Sequence, residues 1–207
     1  MNEKNSLGLN ICFKDEKDPI NLFSEWFEEA KKSEINDANA FALGTAGKNG
    51  FPAVRIVLLK DFNKDGFVFY TNLKSSKSIA INENSKISMC FHWKSLLRQV
   101  RIVGSATQVT DKEADEYYNS RPYDSRIGAW ASDQSSILNK RDDLIESINK
   151  YKTKFSEDEK IPRPSHWSGW RLNPIEIEFW LDGKYRIHER LKYYKNKNLW
   201  EKVLLNP

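Results

Sequence analysis

The stretch Phe41-Ala42-Leu43-Gly44-Thr45-Ala46-Gly47-Lys48-Asn49-Gly50-Phe51-Pro52-Ala53-Val54-Arg55-Ile56-Val57-Leu58-Leu59 holds two short apolar runs, residues 41–45 and 54–59, on either side of a Lys48-Asn49-Gly50 turn. Short apolar runs broken by turn residues read as strands, and Asn-Gly between two of them is a strong hairpin signal. The glycines from Gly44 to Gly50 resemble a phosphate loop in composition only. Their spacing fits neither the P-loop nor the dinucleotide fingerprint, and turn chemistry explains them better.

Outward from this hairpin the same texture continues. Asn63-Lys64-Asp65-Gly66 is a second turn leading into residues 67–71, and strand-like runs follow at 87–93 and 99–109. Towards the N-terminus, Asp18-Pro19 is a helix start, a capping carboxylate followed by a proline whose missing N–H costs nothing in the first turn. Leu22, Phe23, Trp26, Phe27 and Ala30 then recur at helical spacing, which predicts a core-facing stripe. Further helices are expected to begin near Ser75, near Thr110, where Glu113 completes a capping-box spacing, and near Ser136. The last of these carries Leu144, Ile145, Ile148, Tyr151 and Phe155 on one face and ends before a loop marked by Pro162 and Pro164. The tail reads as strands at 167–172, 175–181, 185–190 and 199–204, with Asp182-Gly183 as a tight turn.

Many antiparallel strands with peripheral helices, and no regular βαβ alternation, predict an α+β fold, mainly antiparallel β, built around a barrel or strongly curled sheet. A chain of 207 residues suits one domain, here 18–207 after a flexible segment 1–17, with a second flexible stretch around 156–164. The net charge of +4 comes from basic and acidic residues that alternate, which suits small anionic ligands more than a nucleic-acid track, so no nucleic-acid partner is expected, a basic patch formed in three dimensions being the minor alternative. The two cysteines, Cys12 and Cys90, lie far apart without a ligand cluster, so neither a disulfide framework nor a metal site is expected. Residues 1–17 are polar, and no apolar run is long enough to cross a bilayer, so a soluble cytoplasmic protein is expected, with no membrane partner.

Three segments carry candidate chemistry. In Trp180-Leu181-Asp182-Gly183-Lys184-Tyr185-Arg186-Ile187-His188-Glu189-Arg190, the period-two spacing of Arg186, His188 and Arg190 places them on one strand face. Such crowding suits an anion, although from spacing alone a solvated strand face explains it equally well. Arg55 and Lys60 bracket an apolar strand, and their opposite parity lets both reach one ligand only through a bulge, a twist or a second subunit. Tyr117, Arg121 and Ser125 fall around a helix end, followed by Gln134 and Ser135, a donor-rich loop that can hold a phosphate, while an Arg there can equally serve as a cap. Three scattered histidines give no hydrolase order.

Together the segments 55–60, Phe69-Tyr70-Thr71-Asn72, Arg98-Gln99-Val100, Ser120-Arg121-Pro122, Ile127-Gly128-Ala129-Trp130, Gln134-Ser135-Ser136 and 186–190 resemble the pyridoxine/pyridoxamine 5′-phosphate oxidase family, over nearly the whole chain. The resemblance implies an FMN-binding split β-barrel, a homodimer, and sites built by two chains. It implies oxidation of pyridoxine 5′-phosphate and pyridoxamine 5′-phosphate by O2 to pyridoxal 5′-phosphate, with release of hydrogen peroxide. By the same resemblance FMN is held by Arg55, Ile56, Val57, Leu58, Lys60, Tyr70, Thr71, Ser76, Lys77, Gln99, Gln134, Ser135, Trp180 and Arg190. The substrate falls to Lys60, Tyr117, Arg121, Ser125, Arg186 and His188, with Arg186 and His188 nearest the chemistry. One departure stands out: Ser76-Lys77 replaces the Arg-Lys pair common in the family. A charge-assisted bond is worth about 1.5–3 kcal/mol, so FMN affinity is expected to fall about ten- to a hundredfold unless the N-terminus of the helix near Ser75 compensates. Two other functions remain open to a chain of this pattern, an FMN-binding split-barrel protein without turnover and a flavin reductase.

Overall fold

Asp18 opens the first helix, α1 (Pro19–Ser33), by accepting a hydrogen bond from the Ile20 N–H at 2.9 Å. The expected stripe is the buried face, with Leu22, Phe23, Trp26 and Ala30 all buried. Phe23 meets the rings of Phe62 and Phe67 at 4.9 Å and of Phe91 at 5.2 Å, so α1 plugs the concave side of the sheet. Each such side chain contributes about 1.5–3 kcal/mol by leaving water, which makes this stripe a main anchor of the fold. The structure is a computed structural model that describes residue 13, residues 16–157 and residues 160–207. Most of the segment expected to be flexible, 1–17, and two residues of the 156–164 stretch lie outside those described.

The sheet of the described residues has nine strands, all paired antiparallel. They are β1 (Ala40–Ala46), β2 (Pro52–Leu58), β3 (Asp61–Asn63), β4 (Gly66–Asn72), β5 (Lys86–Trp93), β6 (Arg98–Gln108), β7 (Trp167–Leu181), β8 (Glu189–Asn196) and β9 (Leu199–Leu205). The spatial order is β2-β1-β5-β6-β7-β4-β3, with β8 also on β7 and β9 on β8. The hairpin read first in the sequence is β1–β2, turning at Gly50 with φ 76°. β7 organises the rest: β6 runs along most of one side, while β4 takes its first half and β8 its second half on the other. A strand shared in this way forces the sheet to curl around the aromatic core.

Four differences from the expected elements have clear causes. Residues 167–181 form one strand instead of two, because a bulge opposite Val103 and Gly104 accommodates Pro174, which has no N–H to donate. Gly104 is needed there, since a Cβ would lie 2.1 Å from the Asn173 carbonyl oxygen. The strand expected at 185–190 begins only at Glu189; Lys184–Arg186 is a 3-10 turn with Tyr185 at φ 58° and Arg186 at φ 68°. Arg186, His188 and Arg190 therefore share no regular strand face. The helix expected near Ser136 starts at Arg141, as α5 (Arg141–Lys154), where the Asp143 carboxylate accepts from the Lys140 N–H at 3.2 Å. On its expected apolar face Ile145 is exposed, and Ile148, Tyr151 and Phe155 pack against a second cluster around Trp167. Lastly, the donor-rich segment read as a loop is largely a helix, α4 (Tyr123–Ala131), which follows α3 (Asp111–Ser120) directly.

The remaining helix, α2 (Ser76–Glu83), begins where expected after Ser75. Cys90 is a free thiol on β5, and no group of three His, Cys, Asp or Glu side chains among the described residues is placed to hold a metal. No helix of the described residues is long and apolar enough to cross a membrane.

Candidate active site

A cleft of about 590 Å³ opens where α3 and α4 face β4 and the start of β7. Eight of the residues singled out in the sequence line it: Leu58, Lys60, Tyr70, Thr71, Tyr117, Arg121, Ser125 and Gln134. α3 delivers Tyr117 and, at its C-cap, Arg121; the short helix α4 presents Ser125 from its first turn. The start of α3 is fixed by the expected capping box, in which Thr110 and Glu113 exchange bonds of 2.9 and 3.2 Å.

One wall is an aromatic stack. Tyr70 meets Tyr117, at 4.1 Å and 16°, and Trp167, at 5.4 Å and 6°, and those two rings are themselves 6.1 Å apart, so the three near-parallel rings form a triangle. Tyr70 donates its hydroxyl to the Glu113 carbonyl at 3.3 Å. Burial, with help from the Glu113 and Asp61 charges, pushes its pKa up to about 12, so it remains a neutral phenol. The Arg121 guanidinium sits over the Trp167 ring at 4.8 Å. Burial lowers its pKa, and its Nη1 is buried with no hydrogen-bond partner among the described residues. An unpartnered buried guanidinium nitrogen is costly, and an anion in the cleft is the natural remedy.

Beside the cleft lies a second cationic cluster. Lys77 donates to Gln134 Oε1 at 2.8 Å, Ser75 Oγ at 3.1 Å and Thr71 Oγ1 at 3.2 Å. Its pKa is lowered by burial and by the neighbouring Arg55 charge. Arg55, whose own pKa burial lowers, donates to Thr45 Oγ1 at 2.7 Å and the Leu43 carbonyl at 3.2 Å. Neither cation is paired with a carboxylate among the described residues, a donor set that fits a phosphate. Ser76 shares a shallow groove with Arg55 at the start of α2, and Ser75 turns its hydroxyl to the Asn72 carbonyl, so it does not cap that helix. The free N–H groups of this N-terminus thus add to the same anion-favouring corner. Ile56 and Val57 lie on β2, which pairs only with β1, and Ser135 is exposed in the loop after α4 at φ 74°.

The other predicted residues stand elsewhere. Gln99, Trp180 and Arg190 are cross-strand neighbours on β6, β7 and β8. Arg190 donates to Glu178 Oε1 at 2.8 Å and to the Asn206 carbonyl at 3.0 Å. His188 packs its ring 4.6 Å from Trp180, and its Nδ1 lies 3.3 Å from the Gly183 nitrogen and 3.1 Å from Asp182 Oδ1. Arg186 is exposed in the 3-10 turn. None of these five lines the cleft. Tyr70 pairs with Gly169 at one end of β7 and Trp180 lies eleven residues further on. At 3.2–3.4 Å per residue roughly 35 Å of strand runs between the two, which puts them towards opposite ends of β7. Trp167, Glu178 and Asp182 were missed in the sequence: Trp167 read as a strand residue, Asp182 as a turn, and the buried Glu178 carried no spacing signal.

Residues 27–153 match the family model for pyridoxamine 5′-phosphate oxidase, and residues 167–207 match the pyridoxine 5′-phosphate oxidase C-terminal dimerisation region. The chain belongs to the pyridoxamine 5′-phosphate oxidase family. It is 64% identical to the pyridoxine/pyridoxamine 5′-phosphate oxidase of Pelagibacter ubique, over the full length of both chains. It is 51% identical to the enzyme of that name from Allorhizobium ampelinum, over 94% of this chain and 95% of the other. PhzG from Burkholderia lata 383, solved with tetrahydrophenazine-1-carboxylic acid, superposes with a TM-score of 0.89 at 28% identity, covering 95% of this chain and 96% of that one. A pyridoxamine 5′-phosphate oxidase-related, FMN-binding protein from Nostoc punctiforme shares the fold, with a TM-score of 0.74 at 17% identity over 93% of this chain and all of that one. The fold is the family's split β-barrel with peripheral helices, as the resemblance implied.

Proposed function

We propose that this chain oxidises pyridoxine 5′-phosphate and pyridoxamine 5′-phosphate to pyridoxal 5′-phosphate, using FMN and O2, as a homodimer whose sites are each shared by two chains. The observation that carries this reading is the pair of adjacent cationic clusters without carboxylate partners among the described residues, one around Lys77 and Arg55 and one at the buried Nη1 of Arg121, which has no hydrogen-bond partner there. Two such clusters suit two phosphorylated guests, which a carrier of flavin alone does not need.

The residues present fit FMN. Lys77, Arg55, Thr71 and Ser76 with the α2 N-terminus would hold its phosphate, Gln134 and Ser135 would close the same corner, and the exposed edge of β2 from Arg55 to Leu58 and on to Lys60 would meet it along the backbone. Gln99, Trp180 and Arg190 of a second copy would complete the pocket, with Glu178 steering the Arg190 guanidinium through its Nε bond. Bound there, FMN would supply the hydride-accepting chemistry of the oxidation, with O2 as the final oxidant.

The chain's own work is positioning. Arg121, Ser125 and Tyr117 grip the substrate phosphate, with Lys60, whose ammonium lies 6.0 Å from the Tyr117 ring, beside them. The aromatic stack excludes water from that wall. Arg186 and His188 of the second copy orient the C4′ end and handle its proton. Because Gly183 and Asp182 occupy Nδ1 of His188, Nε2 is the nitrogen left for proton exchange.

The test is to purify the protein, record its visible spectrum, and add pyridoxine 5′-phosphate in air while following aldehyde and peroxide. A yellow protein forming both in equal amounts is expected. A colourless protein that turns over only with added FMN would place the weakness at Ser76. A yellow protein without turnover would favour the carrier function and contradict the proposal.

A further inference from the structure

Between α5 and β7 the chain passes through Pro162-Arg163-Pro164. Arg163 makes three hydrogen bonds: Nε to Asp115 Oδ1 at 2.6 Å, Nη2 to Asp111 Oδ1 at 2.8 Å, and Nη1 to the Trp167 carbonyl at 2.8 Å. Its side chain is only 12% exposed. Burial works against its charge, but the bonds to Asp115 and Asp111 outweigh that and raise its pKa, so it is a fixed cation.

The two ends of this clamp matter. Asp111 and Asp115 lie in the first turns of α3, the helix that ends in Tyr117 and Arg121. Trp167 opens β7 and is the surface over which Arg121 lies, and its ring also packs against both Tyr70 and Tyr117. One planar guanidinium therefore ties the helix that presents the anion-binding groups to the backbone of the ring that backs them. Arg163 does not line the cleft itself.

We infer that Arg163 is a positioning residue for substrate binding, which sets the spacing between Arg121 and the Trp167 wall and so the fit of the phosphate. This rests on the proposed role of Arg121. The loop has other ties that keep it folded without Arg163: Ile161 is fully buried, Trp130 Nε1 donates to the Pro162 carbonyl at 2.8 Å, and Leu73 N–H donates to the His166 carbonyl at 2.6 Å. Loss of the clamp should consequently loosen the cleft while the barrel stands.

The experiment compares Arg163→Ala, Arg163→Lys, Asp115→Asn and Arg121→Ala with the unchanged holoenzyme in saturating FMN. Arg163→Ala is expected to raise KM for pyridoxine 5′-phosphate about three- to tenfold with kcat within about twofold, the pattern of lost binding and not of lost chemistry. Asp115→Asn should shift KM the same way by less. Arg163→Lys should recover part of the loss, because an ammonium reaches the carboxylates but cannot fork to the Trp167 carbonyl as well. A normal KM with reduced kcat or thermal stability would show a merely structural residue and overturn the inference. If Arg163→Ala fails to fold, the KM values of Arg163→Lys and Asp115→Asn decide, and wild-type values in both overturn it. Arg121→Ala separates the two levels: if it leaves KM unchanged the reading of the cleft itself fails, whereas a raised KM there with normal KM in the Arg163 and Asp115 variants refutes only the clamp.

Discussion

At Arg121 a guanidinium nitrogen is buried with no hydrogen-bond partner among the described residues, a costly condition that a phosphate in the cleft would relieve. The division of labour follows. Arg121→Ala should raise KM for either substrate with kcat largely kept, because it removes anchoring, while Arg186→Ala should lower kcat strongly, because it disturbs the reacting geometry. Steady-state kinetics on both variants check this, and small, equal effects would defeat it. At this scale much was legible in the sequence, though by two routes. Spacing alone left Arg121 as either a cap or an anion ligand, and in the structure it is the C-cap of α3 and also lines the cleft, so the cap does not exclude the proposed anion role. Trp167 was illegible, since its meaning depends on Tyr70 and Tyr117 stacking beside it from two other elements.

Among the elements, α3 has the most to do, and its N-terminus is where its stability can be probed. The Glu113 carboxylate is held below the usual range by the Thr110 N–H and hydroxyl, with Arg171 adding to the effect. A carboxylate whose folded pKa is depressed stabilises the fold above its unfolded pKa, and that stabilisation is lost as pH falls through the folded value. Thr110→Ala should therefore destabilise the protein by about 1 kcal/mol at neutral pH, with the difference from the unchanged protein shrinking in acid. Urea unfolding at neutral and acidic pH measures both; an undiminished difference in acid would contradict the assignment. This capping box, like Asp18 at α1 and Gly50 in the β1–β2 hairpin, was readable because its signal is local. The misread elements are those set by distant partners. β7 is continuous only because it bulges at Ile175, beside Pro174 and opposite Val103 and Gly104 of β6, and α4 forms around the buried Ile127 despite Gly128 in its middle. Around Arg186, backbone in the left-handed region replaces the strand that alternation suggested, and Gly183 permits it, as a Cβ there would lie 1.8 Å from the Ile187 carbonyl oxygen.

For the whole molecule the decisive feature is that one chain holds its candidate residues in two places. The cleft with Lys60, Tyr117, Arg121 and Ser125 sits at the start of β7, and Gln99, Trp180, His188 and Arg190 cluster near its end. Phe51 in the turn before the edge strand β2, Val54 and Ile56 on that strand, and Ile79 on the neighbouring α2 are exposed, apolar surface suited to cover by a second copy. The parity problem of Arg55 and Lys60 pointed the same way, and the match to a dimerisation region over 167–207 adds to it. Mixing the Arg121→Ala and Arg186→Ala proteins under conditions that exchange subunits tests this directly, assayed with substrate well below the raised KM of the Arg121→Ala protein so that both parents are slow. In a mixed dimer one site carries both substitutions and the other carries neither, so random exchange should restore about a quarter of wild-type activity. Activity that stays at the average of the parents after exchange would mean that each site is built from one chain, and would contradict the account.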